Sequence, residues 1–324
     1  MENESAGSDP GQANPLATRR DLRPKAMAKR LTLGLALGSG SARGWAHVGV
    51  LQALAEEQIV PDLVAGCSMG AMIGAAFAAG RIDQLEMWAL ALDWKGVVGL
   101  LDIGLRGGLI KGDRLLDFFH GQCTTCQFSE LPLPFAAVAT DLASGQEIWL
   151  RDGKVSDAVR ASCTVPGLFR PVLHNGRYLV DGSVVNPVPV SLCRAMGADV
   201  VIAVDLGSDR ERRFLPNHRV TPINPGRKWL INTLAPWRGN GGDALEHRAV
   251  LPSPSMVDTL LGAIDIMQEA IAQRRFASEP PDVLLTPRLG SIGPFEYYRA
   301  AAAIAEGRNA VAQMLPAIRI ALAA

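Results

Sequence analysis

Short apolar runs that stop at glycine or serine, each followed by residues at helical spacing, recur along this chain. Leu31 to Leu37 is apolar and ends at Gly38-Ser-Gly40-Ser-Ala-Arg43-Gly44. From about Ala46 to Gln58, Val48, Leu51, Leu54 and Ala55 fall on one face of a helix. A second apolar strand over Asp62 to Ala65 completes a βαβ unit, whose crossover makes the two strands parallel. Small residues from Ala71 to Gly80 then predict a close-fitting helix.

The later chain is read the same way. Ile82 to Leu92 is helical, Val97 to Leu109 irregular, and Gly112-Asp113 opens a helix through Phe119. Pro134 to Thr140 and Ile148 to Leu150 are strands joined by a hairpin turn at Asp141 to Gly145. A short helix over Val155 to Ser162, a strand over Tyr178 to Val180 and a helix over Val190 to Met196 follow. Val200 to Val204 has the continuous β-branched character of a strand buried on both faces. Beyond the irregular residues 208–255, a helix from Met256 carries Leu260, Leu261, Ile264 and Met267 as its apolar stripe. Val283 to Thr286 is a last strand, and Glu296 to about Ala323 is helical with a break at Pro316. The fold class is α/β, with a mostly parallel sheet flanked by helices.

Two loops at strand ends carry the candidate chemistry. Gly66-Cys67-Ser68-Met69-Gly70 stands between a strand and a helix, where a sharp turn would lift the Ser68 hydroxyl over the helix's positive end. Gly66 and Gly70 lack the bulk that would keep strand and helix apart. The alternative is a helix N-terminus that Ser68 merely caps. Gly38 to Gly44 is not a dinucleotide fingerprint, because Arg43 occupies the place of the third glycine and no acid ends the next strand. It fits a nest of backbone N–H groups that converge on an anion, the donors a serine acyl transfer needs from a separate loop.

Ser68 needs a base. Of the five histidines, His47, His120, His174, His218 and His247, only the last two follow the later strands, and both lie in the irregular segment, while His47 sits in the first turns of a helix. Asp181, at a strand end and entering a turn through Gly182, is the better candidate. Asp141 belongs to a simple hairpin, and Asp205 is a weaker competitor at another strand end.

Composition narrows the classes. The chain has 324 residues, 48% hydrophobic and 20% charged, with 32 basic and 32 acidic residues. Zero net charge disfavours a nucleic-acid partner. Five cysteines at no framework spacing, including the pair Cys123 and Cys126, read as ordinary thiols of a reducing compartment. With no signal peptide and no long apolar span, the expected location is cytoplasmic. The first 30 residues form a polar tail whose part from Arg19 to Arg30 holds six basic residues and one acid. That cluster and the stretch Arg227 to Arg238, which brackets Trp229 and Trp237 with cations, would suit peripheral contact with an anionic membrane. The organisation expected is a tail (1–30), a catalytic core (31–207), a lid or membrane-docking insertion (208–255) and a helical part completing the core (256–324).

With these pieces together the chain resembles the patatin-like phospholipases, in particular the bacterial branch related to the catalytic domain of neuropathy target esterase. The likeness rests on Gly38 to Gly44, Gly66 to Gly70, Asp181-Gly182-Ser183 and Ala161-Ser162-Cys-Thr-Val-Pro166, in that family's order and spacing. It implies a three-layer patatin-like fold and a Ser–Asp dyad, with Ser68 as nucleophile and Asp181 as general base. It further implies an oxyanion hole around Gly38, Gly40, Ser41 and Ala42, shaped by Arg43 and Gly44, and needs neither cofactor nor metal. The implied activity is hydrolysis of phospholipid, lysophospholipid or related esters through an acyl-enzyme. A transacylase with the same dyad, or a membrane-associated regulator keeping the fold, are the alternatives. Three serines depart from the family pattern. Ser39 and Ser41 stand in its triple glycine, and Ser183 stands where glycine or alanine follows Asp-Gly.

Overall fold

The computed structural model describes residues 30–100, 126–208 and 256–323. The basic tail, the helix expected over 112–119, Cys123, the insertion with its tryptophans, and His120, His218 and His247 lie outside the described residues.

The body that begins at Leu31 is built on an eight-stranded mixed sheet. The first unit is β1 (Leu33–Leu37), α1 (Ala46–Glu56) and β2 (Leu63–Cys67), with β1 and β2 parallel and paired from Gly34↔Leu63 to Leu37↔Gly66. Helices α2 (Met69–Ala78), α3 (Ile82–Ala91) and α4 (Trp94–Leu100) follow. The last of these replaces the irregular structure expected from Val97. Next come β3 (Phe135–Asp141), β4 (Glu147–Leu150), α5 (Val155–Ser162), β5 (Val172–His174) and β6 (Arg177–Asp181). The chain continues through α6 (Val190–Ala195), β7 (Val200–Val204), α7 (Met256–Ser278), β8 (Val283–Leu285) and α8 (Ala300–Ala323).

Strands β8, β7, β1, β2 and β3 are parallel neighbours in that order. Their residues read as unbroken apolar runs because helices cover both faces, and β1, β2, β3 and β7 are buried throughout. One apolar cluster joins α1, α2 and α8 to one face, and a smaller cluster with α6 and Ala272 of α7 covers the other. Helices α1 and α8 cross at Gly49 and Gly307. A Cβ on either would overlap a carbonyl oxygen of the other helix, at Ile304 or Ala46.

Three expectations are corrected here. Helix α8 runs through Pro316 without a break. Pro316 and Ala312, whose carbonyl loses its partner, are both on the solvent face, so water can take the lost bond. Strand β5 is too short to leave a periodic signal, at three residues on the sheet edge. The stripe expected on α7 is buried only in part: Leu261 is buried and Ile264 half-buried, but Leu260 and Met267 are exposed. That helix instead turns Asp265, Gln268 and Arg275 toward the body.

Candidate active site

The register of β3 explains how residues 113 positions apart come together. Residues Phe135 to Val138 pair with β2, and Ala139 to Asp141 pair with β6. Strand β4 overlaps both of these stretches, pairing from Ala137 to Thr140, so it must hold the opposite edge. Strands β2 and β6 therefore lie end to end along one edge of β3, running toward each other. Cys67 is opposite Val138 and Asp181 is opposite Ala139, adjacent positions on β3. Ser68 follows directly and its Oγ donates to Oδ2 of Asp181 at 2.7 Å.

Ser68 lies on the turn into α2 with φ 55 and ψ −123, a backbone state costly for a residue with a side chain. Close packing sustains it. A Cβ on Gly70 would overlap the Leu37 carbonyl oxygen, and one on Gly66 would collide with the backbone of Ala71. The Ser68 N–H donates to Oγ of Ser162 at 2.9 Å. Its hydroxyl makes no capping bond to α2, so Ser68 does not serve as a plain cap.

Asp181 is fully buried. Its N–H donates to the Thr164 carbonyl at 2.8 Å and its carbonyl accepts the Thr140 hydroxyl at 2.9 Å, so the backbone is fixed on both sides. Oδ1 accepts the Ser183 N–H at 2.9 Å. Gly182 is needed for that turn, because a Cβ there would overlap the Val138 carbonyl oxygen. Burial raises the Asp181 carboxyl above the ordinary aspartate range, opposed by hydrogen bonds from Ser183 and Ser68. Cys67 Sγ lies 3.9 Å from Oδ1, and burial pushes the thiols of Cys67 and Cys163 well up.

The loop after β1 stands at the same end of the sheet. Its N–H groups divide into two sets. Gly38 donates to Val204, Ser39 to Pro187, Ala42 to Pro294 and Arg43 to Gly40, all backbone carbonyls. Gly40 and Ser41 make no such bond to a carbonyl of the described residues, and Ser41 has φ 48. Arg43 is buried, with Nε donating to the Ile292 carbonyl at 3.0 Å and Nη1 paired with Asp265 at 3.2 Å. Gly44 lets the loop meet α2, since a Cβ there would crowd Met69.

The other candidate bases sit elsewhere. His47 donates from Nε2 to the Gly38 carbonyl at 2.7 Å, and its Nδ1 is buried without a partner. Burial lowers its pKa to about 4, so it is a neutral strut beneath the loop. His174 contacts Asn175 on β5. Asp141 closes the β3–β4 turn through Ala143 and Ser144. Asp205 accepts the Gly207 N–H.

Three residues were not assigned from sequence. Ser162 fixes the Ser68 amide; it was part of a motif without a role. Tyr297 hydrogen-bonds Ser41, and burial raises its phenol above the ordinary tyrosine range. Gln268 touches both Ser39 and Ser183. Helical periodicity alone offered no signal for a polar inner face.

The comparisons with known proteins agree on one family. Residues 35–194 match the family described as Patatin-like phospholipase. The chain is 31% identical over 332 residues to an uncharacterized NTE family protein of Mycobacterium tuberculosis, covering 89% of this chain and 92% of that one. A second uncharacterized NTE family protein of that organism is 34% identical over 314 residues, covering 90% of this chain and 48% of its own length. Patatin-like phospholipase domain-containing protein 6 of Mus musculus is 35% identical over 188 residues, 56% of this chain and 14% of that protein. The fold, the motif order and these likenesses have one common reading: this chain belongs to the patatin-like phospholipase family, among its NTE relatives.

Proposed function

We propose that this protein is a serine lipid acyl hydrolase that cleaves carboxylic esters of phospholipids or lysophospholipids through a Ser68–Asp181 dyad. The observation that carries the proposal is the 2.7 Å bond from the Ser68 hydroxyl to a fully buried carboxylate. The elbow presents a hydroxyl in need of a base, and Asp181 is the group within reach.

As Ser68 Oγ attacks the ester carbonyl carbon, its proton passes to Oδ2 of Asp181. Oδ1 stays hydrogen-bonded to the Ser183 N–H, so the carboxyl keeps its orientation. Its raised pKa makes it a better proton acceptor than an exposed aspartate. The N–H groups of Gly40 and Ser41 receive the oxyanion, aided by the positive end of α2. Collapse of the tetrahedral intermediate breaks the ester C–O bond, and Asp181 returns the proton to the leaving alcohol. Water then attacks the acyl-enzyme, gives its proton to Asp181, and releases the fatty acid as Ser68 recovers its hydrogen. Removing the base is expected to cost roughly 100- to 10,000-fold in rate.

The test is p-nitrophenol release from a medium-chain ester, with lysophospholipid vesicles as second substrate. Ser68→Ala should abolish turnover and Asp181→Asn should lower it at least 100-fold, both remaining folded. Undiminished turnover in either variant would refute the dyad.

A further inference from the structure

We propose that Gln268 is a positioning residue whose side-chain amide ties the oxyanion loop to the turn that carries the general base. The inference rests on the Ser68–Asp181 reading above. Gln268 Oε1 accepts the Ser39 hydroxyl at 3.2 Å, and its Nε2 donates to Ser183 Oγ at 2.8 Å. Ser39 precedes the Gly40 and Ser41 donors, whereas Ser183 supplies the N–H that orients Asp181. One planar amide therefore spans the two groups that must hold a fixed separation as charge moves from Ser68 to the oxyanion.

The rest of α7 supports this role. Asp265, three residues before Gln268, pairs with Arg43 of the oxyanion loop. Arg275, seven residues after, donates to the Val185 carbonyl and pairs with Glu147, which also accepts from Asn186. These three positions share a helix face. At one end the face grips the loop after β1, and at the other it grips the segment after Asp181. Gln268 stands between them and contacts both. The two serines it joins, Ser39 and Ser183, are among the three that stand in place of glycine or alanine in the sequence pattern. Without Gln268, Ser183 Oγ, buried at 2% exposure, would lose a donor.

The strap acts on chemistry more than on substrate affinity, because it sets where the donors and the base stand. It also acts on the titration of Asp181. The Ser183 N–H bond opposes the rise due to burial, so a slackened turn lets the carboxyl rise further.

The experiment uses the full chain with Gln268→Met, which keeps the side chain's length and packing but removes both hydrogen bonds, beside Gln268→Glu and Ser68→Ala. Three readings are taken: kcat and KM on the p-nitrophenyl ester, the acid limb of the kcat profile, and amide hydrogen exchange of peptides covering 38–44 and 181–186. We expect Gln268→Met to lower kcat about tenfold with KM within twofold, to move the acid limb to higher pH, and to accelerate exchange in both peptides. Gln268→Glu, which can still accept from both serines, should recover the exchange protection yet stay slow through its added charge. If wild-type turnover is independent of Ser68, the dyad reading fails and the catalytic role of the strap with it, whatever the exchange shows. If turnover depends on Ser68 but Gln268→Met leaves kcat and the acid limb in place, the dyad stands and the strap is refuted. Loss of kcat with exchange unchanged in both peptides overturns it equally.

Discussion

Asp141 and Asp181 are built almost alike, yet their carboxyls are shifted in opposite directions. Each closes a strand, and the two strands pair with each other through Asp141↔Leu179 and Ala139↔Asp181. Each accepts the N–H of the residue two positions on at Oδ1, Ala143 in one case and Ser183 in the other. Each takes a serine hydroxyl at Oδ2, from Ser144 at 2.9 Å or from Ser68 at 2.7 Å. The difference lies in what surrounds them. The serine of Asp141 comes from its own turn, and Arg177 stands 3.4 Å away with half its side chain in solvent. Hydrogen bonds from Ala143 and Ser144, with Arg177 adding to them, hold Asp141 below the ordinary carboxylate range. The serine of Asp181 comes from the strained elbow, and burial drives that carboxyl the other way. Local turn chemistry thus makes a carboxylate well held, and only the tertiary setting separates a lock such as Asp141 from the base proposed at Asp181.

The largest effect should separate the two by substitution. Asp181→Asn is expected to reduce ester turnover at least 100-fold, whereas Asp141→Asn should leave it within about threefold, read as kcat on one ester. Similar losses in both would erase the distinction. The stability effects should run in opposite senses. A carboxyl raised by folding loses stability as pH climbs from its ordinary value to its folded one, so at neutral pH Asp181 is a cost of the site. A carboxyl lowered by folding contributes stability above its ordinary value, lost as pH falls through the folded one, so Asp141 helps at neutral pH. Urea titration at pH 7 should therefore rank Asp181→Asn above Asp141→Asn in folded stability.

The next effect concerns the turns themselves. Gly182→Ala drives a methyl onto the Val138 carbonyl and should cost about 3 kcal/mol, with activity lost as the turn shifts. Gly145→Ala, in the Asp141 turn, meets open space and bears only the strain of its φ of 69, roughly 1–2 kcal/mol. Equal midpoints in denaturant would contradict the packing argument.

His47 offers a third and pH-limited contrast. Its folded pKa of about 4 lies below the ordinary 6.5, so its stabilising neutral state is fully present above pH 6.5 and is lost as pH falls toward 4. The whole shift corresponds to about 3 kcal/mol. In His47→Leu, that slope of stability with pH between 6.5 and 4 should flatten.

The sequence was legible where structure is local. Gly66, Ser68 and Gly70 lie within five residues of one another, and the unbroken apolar strands on either side of α1 require a parallel pair. The motifs at Gly38, Ser68 and Asp181 fall on strand ends as expected, but that β2 and β6 meet head to head on β3 depends on register, which no single segment encodes. The nest narrowed for the same reason. The acceptors Val204, Pro187 and Pro294 that occupy three of its N–H groups are distant in sequence. Helix α7 was misread because Leu260 and Met267 mimic a core stripe, while the face turned toward the body is polar and bonds Ser39, Arg43 and Ser183. Pro316 was misread because a proline on a solvent face loses little.

The most direct measurement of the central claim is the rate at which a fluorophosphonate ester labels the protein, with the modified residue located by mass spectrometry. In the wild type the label should fall on Ser68, one per chain, and Asp181→Asn should slow the reaction at least 100-fold while Asp141→Asn leaves it within about threefold. Labelling of another residue, or an unchanged rate at Ser68 in Asp181→Asn, would contradict a dyad in which Asp181 takes the Ser68 proton.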